Sequence, residues 1–225
     1  MLSLPWTNET IHFLDFEGNA TSGILEYGLV TLRRGKIVEV STRLCQPHGQ
    51  IRPEDIALHG ITADRAAPFP PIEEDWETFA QARESGPLAA HFASTENSLL
   101  KSVWPYPRQA PDFFGLGEMI SEWGPWIDTG RLIPAIFDGI PSAKLEALIE
   151  AFDLQETLDH YAGELCPPDR SHYHCALYDA LASAVLVENL KNYSEFINKP
   201  LLWLLEQSSP EKTRRRGLFR QRNLF

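Results

Sequence analysis

Two carboxylates interrupt an otherwise apolar strand pattern close to the N-terminus. Residues 11–17 read Ile-His-Phe-Leu-Asp-Phe-Glu, and side chains alternate along a strand, so Asp15 and Glu17 point to one face. Leu14 and Phe16, on the other face, are typical core residues. Two acids side by side on a buried strand repel each other and lose hydration, and a cation that neutralises them makes the pair tolerable. The alternative is an exposed edge with both acids solvated, and this strand alone favours that alternative.

The pattern continues with two further strands. Leu25 to Arg33 predicts a second strand, Arg34-Gly35 a turn, and Lys36 to Leu44 a third strand. Short connections between the three predict an antiparallel meander. Two short strands are expected later in the chain, at 88–92 and around 127–129.

Helical patterns dominate the rest of the chain. Leu145, Leu148, Ile149 and Phe152 are spaced as one apolar face of a helix. Further helices are predicted at 72–83, 96–103, 173–190 and 193–207. Strands first, followed by strands mixed with helices, predict an α/β fold with a mixed sheet.

Composition excludes several classes of protein. Of the 225 residues, 43% are hydrophobic and 11% aromatic, which suits one sizeable core and excludes disorder throughout. Cys45, Cys166 and Cys175 are an odd number without a C-x-x-C spacing, which argues against a disulfide scaffold and a structural zinc site. The sequence has no signal-peptide pattern and no apolar run long enough for a membrane span, so we expect a cytoplasmic protein.

Charge is distributed unevenly along the chain. The last fifteen residues hold six basic residues and one acidic residue. The preceding 210 residues therefore hold 14 basic and 30 acidic residues, a net charge of −16. An acidic body argues against a broad duplex-binding face, but it leaves room for a cleft that holds one nucleic-acid end through metal ions.

Two more segments carry chemically useful side chains. The segment from His174 to Asp179 places an imidazole and a carboxylate at or near the start of a helix, although this segment alone is better explained by an ordinary amphipathic helix with a polar edge. In the segment 88–100, His91 ends a buried strand and Glu96 follows five residues later. A helix N-cap at Ser94 or Thr95, with Glu96 in the first turn, is the structural alternative.

Taken in order, these segments resemble the DnaQ-like 3′–5′ exonucleases, in the branch named DEDDh. The segment 13–17 matches the family's acid-x-acid strand, the segment 91–96 loosely matches its second motif, and the segment 174–180 matches its His-x-Ala-x-x-Asp motif. His59-Gly60-Ile61-Thr62 resembles the family's "hGIT" turn, and Asp128-Thr129 its "DT" strand end. Five weak motifs in the right order support each other.

The resemblance implies a ribonuclease H-like fold, with helices on both faces of a mixed sheet, over residues 1–207. It implies two Mg²⁺ or Mn²⁺ ions held by Asp15, Glu17, Glu96 and Asp179, with His174 as general base. The resulting activity would be hydrolysis of phosphodiester bonds at single-stranded 3′ ends, with DNA favoured over RNA.

The sequence departs from the family at three places near these motifs. Glu96 stands where the family has Asp, Gly18 where it has Thr, and Phe92 where it has Asn. We expect Gly18, Phe16 and His91 to contact the substrate. Two alternatives stay open: an exoribonuclease that trims RNA ends, and a catalytically weakened nuclease-like binding module.

Residues 208–225 are expected to form a basic, flexible tail. The chain ends with Gln221, Leu224 and Phe225 in the pattern Q-x-x-L-F, which resembles the peptide that docks on bacterial sliding clamps. A chance match in a solvated tail is the alternative. Docking through this peptide would make DNA the substrate.

Overall fold

The fold is taken from a computed structural model that describes residues 4–115 and 117–209. Its strands are β1 (Thr10–Asn19), β2 (Gly23–Arg33), β3 (Lys36–Leu44), β4 (Leu88–Ala90), β5 (Ala110–Pro111), β6 (Met119–Ile120) and β7 (Trp126–Asp128). Its α-helices are α1 (Pro53–His59), α2 (Ala63–Ala66), α3 (Trp76–Ser85), α4 (Ser94–Val103), α5 (Thr129–Ile136), α6 (Leu145–Ala151), α7 (Gln155–Leu165), α8 (Ala176–Asn189) and α9 (Leu201–Ser208).

The central sheet has five strands in the order β3-β2-β1-β4-β7. β1, β2 and β3 pair antiparallel, which confirms the predicted meander. β4 runs parallel to β1, and β7 runs parallel to β4, so the sheet is mixed. The carboxyl ends of β1, β4 and β7 therefore meet at one edge of the sheet, which is where open α/β folds place their sites.

Helices cover both faces of this sheet, as predicted. On one face α8 packs against β1 and β2, and Ile11, Phe13 and Val30 join its apolar side chains in one core. On the other face, Leu14 and Phe16 pack with side chains from α3 and α4 in a second core. Because β1 is buried on both faces, any acid on it is at least partly shielded from water.

Several predicted helices have different bounds in the structure. The helix predicted to begin at Tyr173 begins only at Ala176, because the backbone of His174 is left-handed, with a φ of 63°. The prediction of one helix over 193–207 is wrong in its first half. Pro200 restricts the residue before it, so α9 begins at Leu201. The helix predicted at 72–83 starts as a 3-10 turn, Ile72–Asp75, before α3.

The last helix in the described part of the chain is α9, which ends at Ser208. The predicted tail, residues 208–225, begins within this described part, whereas residues 210–225 with the Q-x-x-L-F peptide lie outside it. The division into a domain and a tail therefore stays a prediction. Within the described part, no helix combines the length and apolar character that a membrane crossing would need.

Candidate active site

The four predicted acids come together at the carboxyl edge of the sheet. Asp15 and Glu17 lie on the face of β1 that α8 covers, opposite Gly28 and Glu26 of β2 in the antiparallel register. Glu96 lies in the first turn of α4, the helix that follows β4 in the chain. Asp179 lies in the first turn of α8. Three separate elements thus deliver carboxylates to one place.

Gly28 lets α8 approach closely enough to complete the cluster. A Cβ at this position would lie 2.3 Å from the Ala176 carbonyl oxygen and 2.4 Å from Leu177 Cα, both backbone atoms of α8. The first turn of the helix therefore rests directly on β2, beside Asp15. This contact carries Asp179 to the acids of β1.

Gly18 follows Glu17 at an irregularity in the β1–β2 register. Its φ is +125°, and a Cβ there would lie 2.2 Å from the Gly23 carbonyl oxygen. Only glycine fits this backbone conformation and this contact. The bulge has a clear structural role, and the expected substrate contact of Gly18 stays a prediction.

The four acids of the cluster repel each other electrostatically. Burial raises the pKa of Asp15 well above its usual value, and the negative charges of Glu96, Asp179 and Glu17 raise it further. Burial and the neighbouring Asp179 also raise the pKa of Glu17 to about 8. These carboxyl groups therefore resist ionising together, and a cation among them would offset this repulsion.

The other two acids have shifted pKa values and unsatisfied oxygens. Burial raises the pKa of Glu96 to about 8, although a hydrogen bond from the Phe16 backbone amide opposes the rise. Burial raises the pKa of Asp179 to about 7, although a hydrogen bond from the His174 amide opposes it. Glu96 Oε2 and Asp179 Oδ1 are buried without a hydrogen-bond partner among the described residues. Two buried, unpaired carboxylate oxygens in one cluster fit a divalent cation.

His174 is held at the mouth of this cluster by its backbone. Its amide donates to Asp179 Oδ2 over 3.0 Å. One ring nitrogen of His174 lies within 4.8 Å of a carboxylate oxygen of Glu17 and of Asp179. The residue is exposed, and its ring makes no hydrogen bond within the described segments. The imidazole is thus near the acids and free to turn.

The structure does not bring every predicted contact residue to the cleft. Phe16 is only 6% exposed and packs on Phe79 with ring centroids 5.7 Å apart. Its ring belongs to the core on the opposite face of β1, because strand side chains alternate, and a substrate contact of Phe16 stays a prediction.

His91 has both ring nitrogens engaged by the protein. Nδ1 lies 3.0 Å from the Thr129 hydroxyl, and Nε2 lies 2.8 Å from the Ala143 carbonyl oxygen. Burial lowers the pKa of His91 to about 4, so the ring is neutral near pH 7. This arrangement gives His91 a structural role that joins the end of β4 to α5, and its contact with substrate stays a prediction.

The two auxiliary motifs also form local structure. Gly60 ends α1 with a φ of +70°, and the Ile61 amide donates to His59 Nδ1 over 3.1 Å. At the end of β7, Asp128 accepts a 3.1 Å hydrogen bond from the Phe92 amide. Both motifs hold loops that border the carboxyl edge of the sheet.

Sequence reasoning did not single out a buried ion pair beside the acids. Glu26 and Arg170 are each 3% exposed and pair side chain to side chain. Glu26 could have been found, because it interrupts a buried apolar strand in the same way as Asp15 and Glu17. Arg170 lies in a loop and has no periodicity that would mark it.

No family model matches the chain, but curated proteins do. Exodeoxyribonuclease 10 of Escherichia coli K12 is 28% identical over 172 residues, which cover 76% of this chain and 64% of that protein. DNA polymerase III PolC-type of Halalkalibacterium halodurans is 27% identical over 164 residues, which cover 73% of this chain and 10% of the polymerase. The chain thus spans less than two thirds of the length of either relative.

Solved structures match a larger share of this chain than the curated sequences do. Exonuclease X in complex with 5′-overhanging duplex DNA has a TM-score of 0.62 at 24% identity, covering 87% of this chain and 99% of that one. A 3′-exonuclease from work on 3′-end-specific recognition of the histone mRNA stem-loop has a TM-score of 0.59 at 16% identity, covering 86% and 85%. These matches show a shared fold. In its motifs, its sequence relatives and its ribonuclease H-like fold, this chain is similar to the DnaQ-like 3′–5′ exonucleases.

Proposed function

We propose that this chain is a metal-dependent 3′–5′ exonuclease that hydrolyses phosphodiester bonds at single-stranded nucleic-acid ends. The observation that carries the proposal is the convergence of Asp15, Glu17, Glu96 and Asp179 from three elements, with two buried carboxylate oxygens left unpaired. Structural stability alone does not favour this arrangement, because four buried acids repel each other.

The donor set fits hard divalent cations such as Mg²⁺ or Mn²⁺, which prefer oxygen ligands. Asp15, Glu17, Glu96 and Asp179 would hold two such ions. Such ions supply an activated water and stabilise the charge on the leaving oxygen. Glu96 is longer than the family's Asp, and from the first turn of α4 its carboxylate still interacts with Asp15.

His174 is the proposed general base. A neutral imidazole nitrogen can accept a proton from the attacking water. Its backbone amide donates a hydrogen bond to Asp179 Oδ2, whereas its ring is exposed and has no hydrogen bond in the described part of the chain. The ring can therefore turn towards a bound phosphate without losing a partner.

DNA is the favoured substrate. Both curated relatives carry names of DNA-processing enzymes, an exodeoxyribonuclease and a DNA polymerase. One structural neighbour recognises an RNA stem-loop, so RNA has to be tested beside DNA. Binding of the terminal Q-x-x-L-F peptide to a sliding clamp and a cytoplasmic location remain predictions from the sequence.

The proposal is tested with matched substitutions of a buried and an exposed acid. Glu17→Gln removes one charge of the cluster, whereas Glu39→Gln makes the same change on an exposed position of β3. We expect metal-dependent cleavage of single-stranded DNA by the wild type and by Glu39→Gln. We expect a loss of about 100-fold or more in Glu17→Gln. Equal activity of both variants would overturn the site, and preferential cleavage of RNA would support the exoribonuclease alternative.

A further inference from the structure

The buried pair of Glu26 and Arg170 lies directly beside the candidate catalytic acids. Glu26 faces Glu17 across the β1–β2 ladder, so the two side chains share one face of the sheet. Arg170 Nε donates to Glu26 Oε1 over 2.9 Å, and Arg170 Nη2 donates to Glu26 Oε2. This two-pronged geometry is the strongest that an arginine and a carboxylate can form.

Glu26 also contacts the helix that carries Asp179. Its Oε2 accepts a 3.0 Å hydrogen bond from the Ala176 amide, the first residue of α8. A carboxylate at this position satisfies an otherwise unpaired amide and complements the positive end of the helix dipole. The close contact at Gly28 fixes how near α8 lies to the sheet, and Glu26 fixes its first turn.

Arg170 joins this helix start to two loops. Its Nη1 donates to the His59 carbonyl oxygen at the end of α1, and its Nη2 lies 3.5 Å from the His174 carbonyl oxygen. Arg170 thus joins the backbone at the end of α1 to the backbone of His174. A planar guanidinium can serve these partners together, whereas an ammonium cannot.

We propose that Glu26 and Arg170 form a positioning pair that sets His174 and Asp179 against Asp15 and Glu17. The inference rests on the proposed nuclease function, because it assigns the pair a task at that site. The geometry carries it: the pair is buried, it joins β2 to the end of α1, and it contacts the His174 carbonyl oxygen and the Ala176 amide of the helix that carries Asp179.

The test compares substitutions at this pair with a matched substitution at another pair. Arg170→Met removes the charge and keeps the apolar stem, Arg170→Lys keeps the charge, and Glu26→Gln keeps the shape. Arg43→Met is the control, because Arg43 also pairs with an acid, Asp75, and bonds two loop carbonyls on a different part of the fold.

Four quantities are measured on folded protein: kcat, KM, the Kd for Mn²⁺ from the paramagnetic resonance of the free ion, and hydrogen exchange at residues 171–179. We expect Arg170→Met and Glu26→Gln to lower kcat and weaken Mn²⁺ binding by about 10- to 100-fold, because partners that orient metal ligands commonly have effects of this size. KM should change by less than about threefold. Arg170→Lys should recover part of kcat, and exchange at residues 171–179 should speed up in Arg170→Met and Glu26→Gln but not in Arg43→Met.

Several outcomes would overturn the positioning pair. The proposal fails if Arg170→Met has the same kcat and the same Kd for Mn²⁺ as Arg43→Met. If Arg170→Met does not fold, unchanged kcat and Mn²⁺ binding in Arg170→Lys and Glu26→Gln contradict the proposal in the same way. If the wild type cleaves no substrate, the nuclease function fails, and Mn²⁺ binding with hydrogen exchange still decides whether the pair positions the cluster.

Discussion

A carboxylate oxygen of Glu17 and one of Asp179 lie within 4.8 Å of each other, although 161 residues separate them in the chain. The first belongs to the first strand of the sheet and the second to the helix that covers this strand. Their approach depends on Gly28, over which the backbone of α8 passes. The candidate site is therefore sensitive to changes that move α8 and leave every acid in place.

Gly28→Ala is expected to disrupt the site without removing a functional group. The new Cβ would lie 2.3 Å from the Ala176 carbonyl oxygen, so α8 must move away from β2. We expect a loss of about 1–3 kcal/mol in the free energy of unfolding, as for other overpacked positions. Nuclease activity should fall about 100-fold, because a displacement of about 1 Å at a reacting group has effects of that size. Urea denaturation and initial cleavage rates measure both effects.

Gly163→Ala is the matched control. Gly163 lies in α7, and a Cβ there would meet no atom within 4 Å. Alanine favours a helix over glycine by about 0.5–1 kcal/mol, so this variant should be slightly more stable and fully active. Equal loss of activity in both variants would contradict the role of the close contact.

The stability of the metal-free protein should fall as the pH rises. Burial raises the pKa of Glu17 and Glu96 to about 8 and that of Asp179 to about 7, so the folded state binds these protons more tightly than the unfolded state. Stability from such groups is present below the unfolded pKa and is lost as the pH rises through the folded pKa. In EDTA, the melting temperature should therefore decrease between about pH 5 and pH 8.

Divalent cations and one substitution test whether the buried acids cause the fall of the melting temperature with pH. Mn²⁺ should raise the melting temperature most at pH 8, because it competes with the bound protons. Glu17→Gln in EDTA should give a flatter pH profile than the wild type. A melting temperature in EDTA that rises over this interval would contradict the raised pKa values.

Glu96→Asp should lower activity although it restores the acid that the family motif has. Glu96 is 5% exposed and lies in the first turn of α4, and its carboxylate interacts with Asp15 and with the Phe16 amide. Removing one methylene withdraws the carboxylate from this position. We expect kcat/KM to fall about 10- to 100-fold, with a weaker Kd for Mn²⁺. Activity equal to or above that of the wild type would show that the longer side chain is not adapted to this backbone.

Much of the site could be predicted because it depends on local periodicity. Strand alternation placed Asp15 and Glu17 on one face, and the structure has them there on β1. The helix-start pattern placed Glu96 in a first turn, where it lies in α4. Such features follow from short stretches of chain and need no knowledge of tertiary contacts.

The remaining features depend on contacts between distant segments. Arg170 is buried only because Glu26, 144 residues earlier, faces it across the packed interior. The left-handed backbone of His174 interrupts a segment with a helical pattern and delays the start of α8. Neither a long-range ion pair nor a strained residue has a signature in local sequence.

The direction of cleavage decides whether the protein is a 3′–5′ exonuclease. One single-stranded DNA is labelled at its 5′ end in one sample and at its 3′ end in another, and both are incubated with the full-length protein and Mn²⁺. The account predicts a ladder that shortens stepwise from the 5′-labelled strand and immediate release of the 3′ label as a mononucleotide. Both signals should be absent in EDTA and strongly reduced in His174→Ala. Release of the 5′ label first, internal cuts, or full activity in EDTA would contradict a metal-dependent 3′–5′ exonuclease.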